Sequence, residues 1–388
     1  MKVCSMFSQL LLLIDRNEFD RLVRLTGAQK GAKGFTCWEQ FISMLFCQLG
    51  RAHSLREICG GLASCAGKLS HLGMKHAPNK SSLAYANAHR PAELYEKLFN
   101  CFLGQMRGQC GKHKFRFKNP LLSIDATVIQ LSLSMYEWAE FRRTKGALKL
   151  HLQLDHDGYL PCFAFFTNAR THEITVARRM CFQPGTILVF DRGYNDYGWF
   201  HKLTTDKVFF VTRLKSNAAF ELVEEREVPA GSNVVKDQII RLTGPRSSQD
   251  YPGELRRVCI FDEKRLKVLQ FLTNNMTLAA STIAAIYKER WQIEIFFKAI
   301  KQHLKIKTFL GTTFNAVMTQ LWTALIAMLL LQYLRWKASI NWSLSHLLAL
   351  LRMNLFTHRN LFEWLNDPFK PAPEPPDIEN QLVLAFNV

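Results

Sequence analysis

The chain has 388 residues, of which 48% are hydrophobic and 21% are charged. This length predicts two to three folding units with a sizeable core, and the composition excludes wholesale disorder and collagen-like repeats. Lysine and arginine number 50 against 32 acidic residues, so the net charge is +18. Such an excess indicates a polyanionic partner and favours nucleic acid over an anionic membrane surface.

Residues 1–118 have the pattern of a basic helical domain. Apolar residues recur at helical spacing in 35–46 and again in 93–99. The segment holds 18 Lys and Arg residues against seven Asp and Glu, so it carries most of the positive charge. We expect it to bind DNA through a helix-turn-helix-like unit; the alternative is a basic face that only keeps the domain soluble.

The pattern changes to strands after Pro120. An apolar strand is predicted at 121–129 and another at 186–191, each placing one aspartate, Asp125 or Asp191, at a strand end. An alternating hairpin at 148–165 extends the predicted mixed sheet. Because strand ends expose side chains to a crevice, two such aspartates indicate a shared metal site, although a lone strand-terminal Asp is most often a turn or cap residue.

A cationic stripe is predicted on the helix that includes residues 287–301. At 3.6 residues per turn, one face holds Tyr287, Arg290, Glu294, Lys298, Lys301 and Lys305. Core packing does not require one carboxylate among four cations and a phenol. The stripe is either a solvated salt-bridged face or a site where Glu294 binds metal while its neighbours hold phosphates. Trp291 lies off this stripe and is expected in the core.

The spacing Tyr287-x2-Arg290-x3-Glu294-x6-Lys301 resembles the Tyr-Arg-Glu-Lys signature of insertion-sequence-four-type bacterial DDE transposases. The segments 124–127 and 190–194, around the two aspartates, are similar to the aspartate motifs of that family. The helical N-terminal segment resembles the domain that precedes the catalytic domain in one branch. The resemblance covers about residues 5–340. It implies a transposase that binds terminal inverted repeats and catalyses strand cleavage and strand transfer.

The resemblance also implies an α/β fold, with an RNase H-like catalytic core that is interrupted by a β-rich insertion and preceded by a helical domain. The expected units are a helical basic DNA-binding domain (1–118), the first part of the core (119–215), the β-rich insertion (216–275), the second part of the core with C-terminal helices (276–365), and a Pro-rich tail (366–388). Within the insertion, Tyr251 and Phe220 are candidates for stacking on a base.

Asp125, Asp191 and Glu294 are the expected catalytic residues and metal ligands, because three carboxylates can hold two divalent ions. Mg²⁺ is the expected ion, with Mn²⁺ as a substitute, since hard oxygen ligands suit both. Glu289 is a rival third carboxylate, but on a helix it points away from the cations.

Four side chains are expected to bind DNA. The resemblance implies that Arg290 and Lys301 grip phosphates and that Tyr287 hydrogen-bonds to the same backbone. Lys298 is added because it lies on the same helical stripe.

Double-stranded DNA is the expected partner, as element ends and as target, with a dimer in the DNA complex and no membrane. The apolar run 321–334 is too short to span a bilayer and predicts a core helix. The ten cysteines lack zinc-site spacing and are expected to be buried free thiols. Free thiols predict a cytoplasmic protein, and the resemblance implies a bacterial protein associated with the nucleoid.

Two other functions remain open. A standalone metal-dependent DNA nuclease would share the carboxylates, but the basic N-terminal segment and the cationic stripe argue against it. A catalytically silent DNA-binding regulator would need no carboxylates, so the presence of all three argues against it.

Overall fold

The computed structural model describes residues 4–32, 34–65, 67–107, 111–131, 146–228, 231–306 and 308–370. These residues form a mixed α/β structure with a helical N-terminal region and one large sheet. The helices are α1 (Met6–Leu11), α2 (Arg16–Thr26), α3 (Cys37–Gly50), α4 (Leu55–Ser64), α5 (Lys80–His89), α6 (Glu93–Arg107), α7 (Glu173–Ala177), α8 (Tyr197–Thr205), α9 (Ser247–Asp250), α10 (Ala280–Glu289), α11 (Trp291–His303), α12 (Phe314–Lys337), α13 (Leu344–Asn354) and α14 (Leu361–Asn366). The strands are β1 (Leu121–Leu131), β2 (Gly146–Asp155), β3 (Leu160–Asn168), β4 (Ile187–Val189), β5 (Phe209–Arg213), β6 (Phe220–Arg226), β7 (Val234–Leu242), β8 (Glu254–Asp262) and β9 (Lys267–Thr273). Most of the Pro-rich tail lies outside the described residues.

The N-terminal helices share their core with the C-terminal helices. Local signals set their ends: Thr36 and Glu39 form a reciprocal capping box at the start of α3. Their apolar faces, however, pack against α12, where the ring of Phe99 lies 5.5 Å from that of Trp322. Buried side chains from α1 through α6 and from α11 through α14 form one cluster. An isolated N-terminal fragment would therefore expose surface that the full chain buries.

The apolar run predicted as a core helix is the centre of α12. This helix has 24 residues, so by length and composition it could cross a membrane, but 89% of its most apolar 18-residue stretch is buried inside the protein. The expectation of a core helix is confirmed, although the helix is longer than predicted. The cysteines differ more from expectation: all nine in the described residues are free, but Cys181 is exposed.

The sheet has nine strands in the order β3-β2-β1-β4-β5-β9-β8-β7-β6. The first three strands are antiparallel, while β4 runs parallel to both β1 and β5. The strands expected in 216–275 are present as β6–β9, and they are antiparallel throughout. They continue the main sheet, because β9 pairs with β5.

Asp125 does not end its strand, which corrects the sequence-based expectation. β1 continues to Leu131 because its pairing with β2 continues that far. On its other side, β1 pairs with β4 only from Leu121 to Ser123. Asp125 therefore lies where β1 extends past its parallel neighbour, so a carboxylate in the middle of a strand still reaches a crevice.

Candidate active site

The stripe predicted on one helix is carried by two helices. Arg290 stands between α10 and α11 in a tight turn, where its N–H donates to Tyr287 O at 3.2 Å. Its backbone remains right-handed helical, so the stripe stays on one side as far as the end of α11. Leu304 then has an extended backbone, and Lys305 leaves the stripe. Trp291 is 54% exposed, which corrects its expected place in the core.

Arg290 bridges two of the three predicted catalytic carboxylates. Its Nη2 donates to Glu294 Oε1 at 2.6 Å, and its Nη1 lies 3.6 Å from Asp125 Oδ2. The side chain is only 13% exposed. Its buried Nε has no hydrogen-bond partner among the described residues. A largely buried positive charge thus lies between two carboxylates.

Asp191 is brought towards this pair by the register of the sheet. Ser123 and Val189 are the last pair of the parallel ladder, and each aspartate lies two residues further along its chain segment. The charge of Asp191 contributes to the raised pKa of Asp125, so the two carboxylates lie near each other. The Gly193 N–H donates to Asp191 Oδ1 at 2.8 Å. A Cβ at position 193 would lie 2.9 Å from that oxygen, so this close approach requires glycine.

Burial raises the pKa of Asp125 to about 7, and the charges of Asp191 and Glu294 add to this shift. The Ala126 N–H, which donates to Asp125 Oδ1 at 2.8 Å, and the Arg290 guanidinium oppose it. Within the described ranges, no three acidic, His or Cys side chains are yet close enough to form a metal-ligand group. The oxygen donors nevertheless fit a hard divalent cation, which would relieve the strain on Asp125.

An open pocket of about 520 Å³ lies over Asp125 and Glu294. Lys298 lines it and is exposed. Lys301 also lines it, and its Nζ donates to Thr127 Oγ1 at 2.6 Å. The pocket thus brings together Asp125 from β1 and Glu294, Lys298 and Lys301 from α11, an arrangement that suits a phosphodiester held next to a metal.

Tyr287 lies beside the pocket rather than in its wall. Its ring packs 4.9 Å from that of Phe271, and the Arg290 guanidinium lies 5.7 Å from its centre. The two candidates for base stacking differ in access. Tyr251 is 2% exposed, so it cannot stack on a base without leaving the core, which corrects that expectation. Phe220 is half-buried, with the Arg257 guanidinium 5.0 Å from its ring centre.

Glu289, the rival carboxylate, belongs to a separate buried network that the sequence did not indicate. Its carboxylate accepts hydrogen bonds from Lys114 Nζ and, at 3.1 Å, from the Tyr159 hydroxyl. His156 lies 3.9 Å away and contacts Ser123 Oγ at 2.6 Å on its other side. Burial lowers the pKa of His156 to about 4, so the ring is neutral near pH 7. The network ties β1 to the end of α10; its members are distant in sequence, so no local spacing could reveal it.

Comparisons with known proteins identify the family of the chain. Residues 116–330, more than half of the chain, match the family described as Transposase DDE domain. Residues 3–75 match a second family, described as Domain of unknown function (DUF4372).

Three relatives are named as transposases. The chain is 35% identical to transposase y4zB of Sinorhizobium fredii, over 71% of this chain and 77% of that protein. It is 26% identical to a transposase for insertion sequence element IS5377 of Geobacillus stearothermophilus, over 86% of each. It is 25% identical to transposase InsG for insertion sequence element IS4 of Escherichia coli, over 48% of this chain and 43% of that protein.

These matches establish a DNA transposase, an enzyme that cleaves nucleic acid and uses divalent metal. The chain belongs to the Transposase DDE domain family and is a DDE transposase of the IS4 type.

Proposed function

We propose that this transposase binds the terminal inverted repeats of an insertion sequence and catalyses cleavage and strand transfer at Asp125, Asp191 and Glu294. The observation that carries the proposal is the meeting of Asp125 and Glu294 at an open, lysine-lined pocket. The parallel register that brings Asp191 level with Asp125 supports the third carboxylate.

The proposed fold is an RNase H-like core with an insertion. The strand order β3-β2-β1-β4-β5, antiparallel on one side of β1 and parallel on the other, supports this core. The antiparallel strands β6–β9 between Asp191 and Glu294 support an insertion at 216–275. We retain 1–118 as the DNA-binding unit, 119–215 and 276–365 as the parts of the core, and 366–388 as the tail.

Mg²⁺ is the proposed ion, with two ions per site and Mn²⁺ as a substitute, because the donors are carboxylate oxygens. Bound ions would activate a water or a 3′-hydroxyl for attack and would stabilise the oxygen that leaves. Asp125, Asp191 and Glu294 would hold them. Arg290 is placed to exchange these two carboxylates for a DNA phosphate, which its planar guanidinium can bind through two parallel hydrogen bonds.

The remaining residues of the stripe hold the DNA. Lys298 and Lys301 neutralise phosphates along the pocket wall, and Tyr287 donates a hydrogen bond to the same backbone. Both the element ends and the target are double-stranded DNA, and the DNA complex is a dimer. The protein acts in the bacterial cytoplasm, at the nucleoid.

The test uses the full chain, Mg²⁺ and a duplex that ends in the inverted repeat identified by sequencing the DNA on either side of the coding region. We expect cleavage at the repeat and joining of that end to a second duplex. A standalone nuclease would cut a random duplex equally well and join nothing. A silent regulator would bind the repeat and cut neither duplex in Mg²⁺ or Mn²⁺.

Arg290→Ala and Lys301→Ala should weaken binding to end DNA. The first removes a cation that lies between two site carboxylates, and the second removes a cation that lines the pocket. Each should also reduce the slope of log affinity against log salt by about 0.9, the change expected for one phosphate contact. Glu294→Ala should do the reverse and tighten binding, because it removes a negative charge beside the DNA.

The measurement for these three variants is a salt titration of end-DNA binding in chelator. If Arg290→Ala and Lys301→Ala match the unmodified protein at every salt concentration, neither side chain grips a phosphate.

Gly193→Ala should lower cleavage without unfolding the protein. The added Cβ would stand 2.9 Å from Asp191 Oδ1, so the carboxylate must move away from the Gly193 N–H. We expect cleavage to fall roughly tenfold to a hundredfold, as for other changes that misplace a metal ligand. Cleavage rate and melting temperature are measured together. Unchanged cleavage would show that the position of Asp191 does not matter.

A further inference from the structure

We propose that a second phosphate-binding site lies at the far end of α11, built from a group of cations that we call the junction cluster. Its members are Arg51, His53, His303, Lys305 and Arg352, which gather where α3, α11 and α13 meet. The ligand is a phosphate of the DNA backbone that leaves the catalytic pocket. The identity of this ligand rests on the proposed function, whereas the anion chemistry does not.

Lys305 is held in place by two buried glutamines. Gln48 Oε1 of α3 accepts from the Lys305 N–H at 2.8 Å, and Gln320 Nε2 of α12 donates to Lys305 O at 2.6 Å. Gln48 and Gln320 are almost fully buried, and Lys305 is 8% exposed. Burying a lysine costs free energy unless an anion or hydrogen bonds compensate it. The two glutamines hold only main-chain atoms of Lys305, so neither they nor packing explain a lysine side chain at this position.

Positive charge is in surplus around that lysine. Its Nζ donates to His53 Nδ1 at 2.6 Å, a hydrogen bond that satisfies one N–H group but supplies no negative charge. Burial lowers the pKa of Lys305, and the charges of Arg51 and Arg352 lower it further; Glu57 and the Cys47 thiol oppose this shift. His303 responds in the same way, to burial and to the same two arginines. Glu57 is thus one carboxylate against the positive charges of Lys305, Arg51 and Arg352.

Helix capping accounts for only part of this arrangement. Arg352 Nε donates to Leu49 O at 3.1 Å, so the position of Arg352 is explained by the free carbonyls at the end of α3. Arg51 is exposed and makes no ion pair within the described part of the chain, and the Lys305 amino group points to His53 rather than to a carbonyl. A bound anion would pair with the charges of both Arg51 and Lys305.

The position fits DNA that starts at the catalytic carboxylates. α11 runs from beside Glu294, past Lys298 and Lys301, to His303. Nine residues of helix span about 14 Å. Since each strand of a duplex carries a charge every ~3.4 Å of axis, the junction cluster stands roughly four phosphates from the reacting one. The cluster therefore lies off the stripe, at the end of the helix that carries the pocket lysines, at a distance that a bound duplex spans.

The test uses Arg51→Ala and Lys305→Met in the full chain, in chelator, with two probes. The first probe is inorganic phosphate, compared with chloride at equal ionic strength. It should raise the melting temperature of the unmodified protein and have less effect on either variant. The second probe is a random duplex in a salt titration. Each variant should reduce the slope of log affinity against log salt by about 0.9.

Two controls keep the result interpretable. Arg246→Ala removes an arginine whose side chain is 93% exposed, at the N-cap of α9 in the β6–β9 region, and should behave as the unmodified protein. Arg51→Gly removes the charge at a backbone φ of 60°, where glycine is favoured, so it replaces Arg51→Ala if that variant fails to fold.

Loss of both effects in the variants supports the site. If a variant loses the stabilisation by phosphate but keeps the slope of log DNA affinity against log salt, the cluster binds a free anion. That result would overturn the proposed contact with DNA. Variants that match the unmodified protein with both probes would overturn the site itself. Neither probe requires strand cleavage, so failure of the proposed catalytic function would appear separately, as an intact protein that binds DNA but does not cut it.

Discussion

Asp125→Asn, Asp191→Asn and Glu294→Gln should each lower strand cleavage by about a thousandfold or more, a loss at least as large as that of one strong transition-state contact. Each substitution keeps the shape of the side chain and removes the charge that holds a metal. DNA binding should stay within a few fold, because affinity comes chiefly from lysine and arginine contacts to phosphate. Cleavage of end DNA in Mg²⁺ and binding in chelator are measured on the same preparations.

Glu289→Gln is the matched control, since it changes a carboxylate only five residues from Glu294. Glu289 is 5% exposed and paired with Lys114, so its replacement by Ala would unbalance a buried network. The Gln variant should lose stability but cleave at a near-normal rate while folded. If it lost cleavage as completely as Glu294→Gln, Glu289 would be the third carboxylate. Full cleavage by any of the three site variants would remove that residue from the site.

The strands around the site were predictable because each buried strand is a local run of apolar residues. The apolar runs at 121–129 and 186–191 became β1 and β4, and the spacing from Tyr287 to Lys301 placed Glu294 correctly relative to Arg290. The parallel ladder of β1 and β4 ends two residues before each aspartate, at Ser123 and Val189. Local pattern and motif spacing were thus enough to select the three carboxylates and the cations next to Glu294 as candidates.

Features that depend on distant contacts were not predictable. Lys305 leaves the helical stripe because Gln48 and Gln320, from two other helices, hold its backbone. The length of β1 depends on pairing with β2, so Asp125 was wrongly placed at a strand end. Trp291 was expected in the core because its type is usually buried, but its position at the start of α11 leaves it exposed. The outcomes for Lys305 and Asp125 were thus decided by partners far away in the sequence.

The ion pair of Arg290 with Asp125 and Glu294 has a consequence for metal binding. In the DNA-free protein the guanidinium already compensates part of the carboxylate charge, at 2.6 Å from Glu294 and 3.6 Å from Asp125. A metal must therefore compete with Arg290 for these oxygens. DNA phosphate offers Arg290 another partner, so DNA and metal should bind more tightly together than separately.

Asp125→Asn should stabilise the metal-free protein at pH 8 while it abolishes cleavage. The folded-state pKa of Asp125 is about 7, against about 3.9 in an unfolded chain. Between these values the folded state binds more protons than the unfolded state, so the free energy of unfolding falls as pH rises from about 4 to about 7. Above pH 7 the full cost of a buried carboxylate is present, and asparagine avoids that cost while its amide oxygen can still accept the Ala126 N–H.

The expected gain at pH 8 is roughly 1–3 kcal/mol, below the full value of the pKa shift because the side chain is partly exposed to solvent. The gain should shrink towards pH 4, where the aspartate is protonated in the folded protein. Urea unfolding in chelator at pH 4.5 and pH 8 measures this gain in the free energy of unfolding. When the same experiment is repeated in Mg²⁺ at pH 8, the ion should stabilise the unmodified protein but not Asp125→Asn. If the variant were no more stable than the unmodified protein at pH 8, Asp125 would not be a strained carboxylate. The electrostatic reason for placing a metal beside it would then be lost.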